Sequence, residues 1–315
     1  MFPGAGAGRE RADYAVVGAP LDVSASFRPG ARFGPDRVRA LARGFEDYDR
    51  RTDARFSALG VHDAGDVRAW PDAAEYLDFL AGELGDFVAD GVHPLLLGGE
   101  HTVSIAGVRA TSPDVVVCLD AHLDLRESYD GEPYSHATVT RHALDVAERV
   151  VVVGARAGSQ AEWERADQAD VTVVPPAAVT DLHGAAPETV LRTLRAGATD
   201  GETAAGTCAG GSPDHQSSPG PAIDDPDATV YCSVDVDVAD PAYAVGTGTP
   251  EPGGLSAATC RALVRAVAPH AAGFDVVEVT DRDDGQAGLL GAKLLRDHVF
   301  AHAANAIDGT AGSGR

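Results

Sequence analysis

The chain alternates short, valine-rich runs with amphipathic segments of helix length. Seven runs of four or five mainly apolar residues begin at Tyr14, Pro94, Val115, Val150, Val171, Val230 and Phe274. Helices are predicted near residues 36–43, 72–90, 102–109, 160–168, 187–195, 256–267 and 286–302. Five apolar residues in a row are typical of a strand buried on both faces, and strands that alternate with helices form parallel sheets. The sequence therefore predicts an α/β fold: a three-layer sandwich with a mostly parallel sheet between two layers of helices.

One internal segment interrupts this alternation. Residues 197–227 are rich in Gly, Ser, Pro and Asp, a composition typical of a mobile surface insertion of low complexity. Residues 305–315 are small and polar, and they are predicted to form a flexible tail. The remaining sequence is long enough for one large α/β core. We therefore expect a single domain over residues 1–315 that carries one insertion.

The charge of the chain is strongly acidic. Asp and Glu number 48 against 25 Lys and Arg, the formal net charge is −23, and Lys293 is the only lysine. Such a surface argues against nucleic-acid binding and against anionic membranes, because both need basic patches. It favours a halophilic source, where concentrated salt screens the self-repulsion; an ordinary acidic mesophilic enzyme is the alternative. The apolar runs are too short to span a membrane and no signal-peptide pattern is seen, so a cytoplasmic protein is expected.

Two acidic motifs follow apolar runs directly. Residues 120–124 (Asp-Ala-His-Leu-Asp) follow the run at 115–119, and residues 235–237 (Asp-Val-Asp) follow the run at 230–234. Alternate residues of an extended chain point to the same side, and parallel sheets bind ligands beyond the carboxyl ends of their strands. Buried carboxylates repel one another unless positive charge lies among them. The motifs therefore predict a site for one or two divalent metal ions.

Two further predicted strand ends carry polar side chains. One ends in Gly98-Gly99-Glu100-His101, and the other ends at Glu278; taken alone, His101 fits a hydrogen-bonded core or cap histidine equally well. About four carboxylates and two imidazoles without a thiolate form a hard donor set, which favours Mn²⁺ over zinc or copper. Carboxylates can bridge two ions about 3.5–4 Å apart. The resulting centre has a small negative charge, which favours a cationic substrate.

Several motifs, in order along the chain, resemble those of the ureohydrolase family, which comprises arginases, agmatinases, formimidoylglutamases and their relatives. The matching segments are residues 17–22, 28–35, 98–101, 120–124, 134–138, 233–241 and 246–254, together with Glu278. The family is known for an α/β fold with a parallel sheet, a binuclear manganese centre and trimers or hexamers. The resemblance therefore implies two Mn²⁺ ions per chain, a small cationic guanidino substrate and a homo-oligomer.

The resemblance also implies roles for individual residues. It implies that one manganese ion is held by His101, Asp120, Asp124 and Asp235, and the other by Asp120, His122, Asp235 and Asp237. The implied reaction hydrolyses a guanidino group to urea and an amine, with His136 as the proton shuttle to the leaving amine. Glu278 is the implied partner of the guanidinium nitrogens. Judged without the family, His136 also fits an exposed loop histidine, and Glu278 an ordinary acid at a strand end.

The resemblance is closest to agmatinases, through residues 28–35 and 134–136, so the expected reaction is agmatine and water to putrescine and urea. Arg126 stands where arginases carry an asparagine. If Arg126 faces the pocket it repels the distal ammonium of agmatine and favours a carboxylate; alternatively it pairs with Glu127 or Glu132. Arg126 leaves formimidoylglutamase and guanidinobutyrase activities open, and arginase is a further alternative within the family.

The sequence departs from the usual family pattern at Glu100 and Thr102, where Asp and Ser are common, at Ala137, and after Glu278. These changes bear on fine geometry and not on the type of reaction.

Two alternative functions belong to other classes of protein. A mononuclear zinc deacetylase should lack the full complement of Asp124 and Asp237, and a non-catalytic relative should have lost ligands or the proton shuttle.

Overall fold

The computed structural model describes residues 1–196, 222, 223, 225, 228–280 and 282–312. Its main sheet has eight strands: β1 (Tyr14–Ala19), β4 (Val61–Asp66), β5 (His93–Gly98), β6 (Val115–Leu119), β7 (Arg149–Val153), β8 (Val171–Val174), β9 (Val230–Asp235) and β10 (Ala271–Val277). Their order across the sheet is β4-β1-β5-β10-β9-β6-β7-β8, and all neighbouring strands are parallel. The predicted α/β fold with a mostly parallel sheet is confirmed, and all seven predicted strands are present.

Three strands of the structure were not predicted from the sequence. β4 forms one edge of the sheet, and its sequence Val-His-Asp-Ala-Gly-Asp has only its first residue buried, so it lacks the apolar run by which the other strands were found. A small separate hairpin joins β2 (Tyr48–Asp49) to β3 (Ala54–Arg55). Polar edge strands are poor targets for hydrophobicity patterns because only one side of them is paired.

Nine helices cover the sheet in the described part of the chain: α1 (Gly34–Leu41), α2 (Ala73–Ala89), α3 (Ser104–Thr111), α4 (Val139–Ala143), α5 (Gln160–Ala166), α6 (Pro176–Val179), α7 (Pro187–Ala196), α8 (Ala257–Val267) and α9 (Gln286–Gly312). The seven predicted helices all occur, with ends shifted by a few residues except for the end of α9; the short α4 and α6 were not predicted. None of the described helices is long and apolar enough to cross a membrane.

Alternate residues of the central strands pack on opposite faces of the sheet. Val16 and Leu95 pack into the core beneath α1, α8 and α9. Val17 and Leu96, one residue further along each strand, pack into the core that includes α2. The period of two that places strand side chains on opposite faces therefore builds the three layers.

Two regions differ from, or lie beyond, the sequence predictions. α9 continues past the predicted end at residue 302 to Gly312, so backbone that was predicted to be a frayed tail is helical; this stretch is rich in alanine, the best helix former. Of the predicted insertion at 197–227, only residues 222, 223 and 225 are described, and the rest lies outside the described residues. Within it, Ile223 is buried in the main core.

The topology brings the predicted site together. β5, β10, β9 and β6 are consecutive neighbours at the centre of the sheet, and they are parallel. Their carboxyl ends therefore lie at one edge, where β9 ends at Asp235 and the segments that follow the other three strands carry His101, Glu278 and Asp120.

Candidate metal centre and active site

The first group of predicted ligands surrounds the His101 ring. His101 begins the short 3-10 helix that follows β5, and it is buried. Its Nδ1 lies 2.9 Å from Asp124 Oδ2, 3.0 Å from Asp120 Oδ2 and 3.8 Å from Asp235 Oδ2. The structure thus brings together the four side chains predicted for one ion.

The second group surrounds the partly buried His122 ring. His122 Nδ1 lies 3.0 Å from Asp237 Oδ2 and 3.6 Å from Asp120 Oδ1. The Asp237 backbone N–H donates to Asp235 Oδ1 at 2.8 Å, which orients the Asp235 carboxylate at the end of β9. Asp120 contributes an oxygen to each group, as a bridging ligand would.

The donor set fits divalent cations. Adjacent ligands of an octahedral ion with bonds of about 2.1 Å lie about 3 Å apart, and the shortest nitrogen–oxygen distances in both groups have this value. Hard oxygen and imidazole donors suit Mn²⁺. Cys118 Sγ also comes within 3.8 Å of His101, but it meets Nε2, the nitrogen that faces away from the carboxylates. This Sγ also lies 3.9 Å from Asp120 Oδ2, and burial raises the pKa of the thiol to about 12.

The titration behaviour of the cluster reflects crowded carboxylates without a metal ion. Burial and the neighbouring Asp120 raise the pKa of Asp124 to about 7, and burial with Asp237 raises the pKa of Asp235 well above its ordinary value. Burial opposes protonation of His122, but its hydrogen bonds with Asp120 and Asp237 raise its pKa to about 12. In the metal-free protein, protons therefore supply the positive charge that metal ions would bring, and metal binding should release them.

Two site residues occupy strained backbone conformations. Asp124 and Glu278 have φ angles of 52° and 62°, in the left-handed region that non-glycine residues seldom adopt. Such strain is held in place by the surrounding structure and is concentrated at functional sites. For Asp124 it accompanies the turn that directs the carboxylate back to His101.

Glu278 lies directly behind the first group. Its Oε1 accepts a hydrogen bond from the His101 backbone N–H at 2.8 Å. A Cβ at Gly248 would lie 3.0 Å from Glu278 Oε2, so the glycine-rich loop at 246–254 can approach this closely only because it has no side chain there. Burial and the nearby Glu100 raise the pKa of Glu278 to about 8.

A chain of hydrogen bonds behind His101 was not predicted from the sequence. His101 Nε2 lies 3.1 Å from Ser233 Oγ, whose hydroxyl donates to Asp275 Oδ1 at 2.7 Å. The other carboxylate oxygen of Asp275 accepts from the Tyr231 hydroxyl at 2.8 Å. Because the Ser233 proton is directed to Asp275, its oxygen accepts the Nε2–H of His101. With a metal ion bound, this hydrogen bond would keep the proton on Nε2 and leave the lone pair of Nδ1 for the metal, the tautomer that a metal ligand needs.

His136 is held by two serines that the sequence interpretation did not single out. Ser24 Oγ lies 3.1 Å from Nδ1, and Ser26 Oγ lies 3.2 Å from Nε2. Glu100 accepts from both the backbone N–H and the hydroxyl of Ser24, and it also accepts from Thr102 Oγ1 at 2.8 Å. The two departures from the family pattern at 100 and 102 therefore belong to the network that positions His136.

The pKa of His136 lies well below the ordinary histidine value. Burial lowers it to about 4, and the positive charges of His101 and His122 add to the effect. The imidazole is therefore neutral at pH 7 and able to accept a proton. The Tyr129 ring lies edge-on to it, with centroids 5.4 Å apart.

A cavity of about 350 Å³ opens above the metal-ligand cluster. Its lining includes Ser26, His122, Asp124, Arg126, Tyr129, His136, Ser159, Glu162, Thr249 and Glu251. The proposed proton shuttle and two of the predicted ligands thus share one cavity with Arg126. The structure pairs Arg126 with Glu162, through an Nη2–Oε2 distance of 3.2 Å, and this corrects the suggested pairing with Glu127 or Glu132.

The Arg156 side chain holds the loop that carries Thr249 and Glu251 in place through hydrogen bonds. Its guanidinium donates to the carbonyl oxygens of Asp237 at 2.8 Å and Glu251 at 2.7 Å, and also to three other carbonyls, those of Gly154, Val238 and Pro252. Thr249 Oγ1 donates to Asp237 Oδ2 at 3.2 Å. The loop is thereby attached to a predicted metal ligand at two points.

The missed residues left weak signals in the sequence. Ser159 and Glu162 form a capping box at the start of α5, a Ser-x-x-Glu pattern that can be recognised before a helix. Asp275 is a carboxylate inside an apolar strand, which is costly unless it is hydrogen-bonded. Neither pattern says what the carboxylate faces.

The chain is similar to known proteins along most of its length. The family model described as "Arginase family" matches residues 12–202 and 220–301. An agmatinase from Bacillus anthracis is 32% identical over 304 residues, covering 92% of each chain. A guanidinobutyrase from Pseudomonas aeruginosa is 33% identical over 300 residues, covering 90% of this chain and 84% of the relative. The crystal structure of the agmatine ureohydrolase of Thermoplasma volcanium superposes with a TM-score of 0.81 at 31% identity, covering 98% of this chain and 95% of that one. The chain belongs to the arginase family, and it is a hydrolase that acts on guanidino C–N bonds.

Proposed function

We propose that this chain is a binuclear manganese ureohydrolase that converts agmatine and water to putrescine and urea. The observation that carries the proposal is the convergence of His101, Asp120, His122, Asp124, Asp235 and Asp237 in two groups that share Asp120, at the carboxyl ends of neighbouring parallel strands. Two divalent ions bound there would supply Lewis acidity and water activated at neutral pH.

The other residues of the site bind the substrate and move protons. Glu278 carries one oxygen that is not used by the His101 N–H, and this oxygen is suited to the guanidinium nitrogens of the substrate. A bound guanidinium would favour the ionised form of Glu278 and so oppose the raised pKa of the free site. His136 is neutral in the cavity, oriented by Ser24 and Ser26, and can take up a proton and pass it to the leaving amine.

The charge of the cavity supports a cationic substrate tail. Among the residues that the structure describes, Arg126 is the only Arg or Lys in the cavity lining, and Glu162 lies beside it; Glu251 adds a further acid to the lining. The remaining charge is negative, which is favourable for the distal ammonium of agmatine. Agmatinases of about 30% identity are the relatives that support this choice of substrate.

The test is product release by Mn²⁺-loaded protein offered agmatine, arginine, 4-guanidinobutyrate and formimidoylglutamate in parallel. Urea from agmatine at a rate well above that from the others is the expected result. Formamide from formimidoylglutamate, or urea mainly from arginine or guanidinobutyrate, would replace the proposal with one of the other activities of the family. If the protein instead bound a single zinc ion and catalysed deacetylation, or bound no metal, the proposal would be rejected altogether. Light scattering on the same sample tests the trimer or hexamer expected from the family.

A further inference from the structure

The position of Glu162 allows it to influence whether the cavity binds a substrate with a positively or a negatively charged tail. It is nearly fully buried, yet it lines the same cavity as His122 and His136. Its Oε2 lies 3.2 Å from Arg126 Nη2, and Arg126 also lines the cavity, stacked over the Tyr129 ring at 5.4 Å. A carboxylate and a guanidinium therefore meet as a pair in the wall of the substrate cavity.

The two members of the pair are held very differently. Glu162 accepts hydrogen bonds from the Ser159 N–H at 2.8 Å, the Ser159 hydroxyl at 2.7 Å and the Leu125 N–H at 3.3 Å. These bonds fix it at the start of α5. The Arg126 side chain is 38% exposed. Apart from the ion pair with Glu162, its positive charge can act on a molecule in the cavity. The fixed carboxylate is therefore the element that sets the net charge of this wall.

We infer that Glu162 is a specificity-determining residue: by neutralising Arg126, it lets an arginine-containing cavity accept a substrate with a cationic tail. This inference rests on the proposed ureohydrolase function and adds to it the residue that selects an ammonium tail over a carboxylate tail. Without the Glu162 charge, Arg126 becomes a free cation in the wall, which repels an ammonium and attracts a carboxylate.

The test compares agmatine with 4-guanidinobutyrate, which pair the same reactive group with opposite tails. Glu162→Gln keeps an oxygen for the capping box while removing the charge, since Gln also serves in that motif. The ratio of kcat/KM for agmatine to that for guanidinobutyrate should fall by about tenfold or more, the effect of one uncompensated charge close to a ligand charge in a partly screened site. Adding Arg126→Met to this variant should restore most of the ratio.

Glu164→Gln is the matched control. Glu164 is exposed two residues further along α5, where Gln160 donates to it, so the variant removes the same charge without touching the cavity. Its ratio should equal that of the parent. Arg126→Met alone is the mirror variant; it leaves Glu162 without its partner and should raise the ratio, which keeps the inference testable if Glu162→Gln folds poorly.

Binding of the unreactive tails gives a readout without turnover. Putrescine should stabilise the parent against thermal unfolding more than 4-aminobutyrate does, and Glu162→Gln should reduce or reverse the difference. An unchanged substrate ratio in folded, manganese-loaded Glu162→Gln, together with no change for Arg126→Met, would overturn the inference. Failure of the parent to release urea from either substrate would instead overturn the proposed function.

Discussion

Replacing Ser233 with alanine removes the acceptor that orients a predicted metal ligand while changing a single buried hydroxyl. In the parent, His101 Nε2 lies 3.1 Å from Ser233 Oγ, and both residues are almost completely inaccessible to water. The variant leaves a buried imidazole N–H without this acceptor, which costs about 1–3 kcal/mol. That cost falls on the tautomer with its proton on Nε2, the one that presents Nδ1 to Asp120 and Asp124.

The affinity for Mn²⁺ should therefore fall by about 10- to 100-fold, in the range seen when partners of ligating histidines are removed. Equilibrium dialysis of the chelator-treated protein against Mn²⁺ measures it. Thr111→Val serves as the control, because the Thr111 hydroxyl bonds only within α3, to the Gly107 carbonyl. Manganese affinity within twofold of the parent in folded Ser233→Ala would refute the role given to this hydrogen bond.

Three further predictions concern protons, catalysis and salt. Because the pKa values of Asp124 and Glu278 are raised to about 7 and 8, these two groups bind more protons in the metal-free folded state than in the unfolded chain between about pH 4 and pH 8, and their contribution to its stability falls as pH rises through that window. Mn²⁺ replaces these protons, so the rise in Tm on adding Mn²⁺ should be greater at pH 8 than at pH 6; an equal or smaller rise would contradict this. His136→Asn should lower kcat by about 10²- to 10⁴-fold at unchanged manganese content, and metal loss would contradict its role as a proton shuttle. With a net charge of −23, Tm should rise between dilute buffer and molar KCl, and a fall would argue against the halophile interpretation.

The sheet could be predicted because its strands are simple. Runs such as residues 115–119 and 150–153 are apolar on both faces, and this is the pattern of a buried parallel strand. β4 was not predicted because its exposed face needs no apolar residues, so its sequence contains no apolar run. The end of α9 was misjudged because small residues were taken as a sign of fraying, although alanine favours the helix.

The convergence of the predicted metal ligands also followed from the sequence, since strand ends in a parallel sheet share one edge. The hydrogen bonds that support the site could not be predicted, because they join residues that are far apart in the sequence. Ser24 meets His136 across 112 positions of sequence, and Ser233 meets Asp275 across 42. No local pattern specifies such contacts; they appear only when the strand order is known. Arg126 illustrates this best, because its partner Glu162 lies on a helix that follows the next strand of the sheet.

The central claim is that two metal ions bind among the six predicted ligands, and the most direct measurement is the metal content of each chain. Protein reconstituted with Mn²⁺, freed of excess metal and analysed by mass spectrometry of the elements should contain two manganese ions per chain. Asp235→Ala, which removes the carboxylate predicted to bridge the two ions, should lose both ions while its circular dichroism stays unchanged. A single ion in the parent, or two ions retained in folded Asp235→Ala, would contradict the binuclear centre.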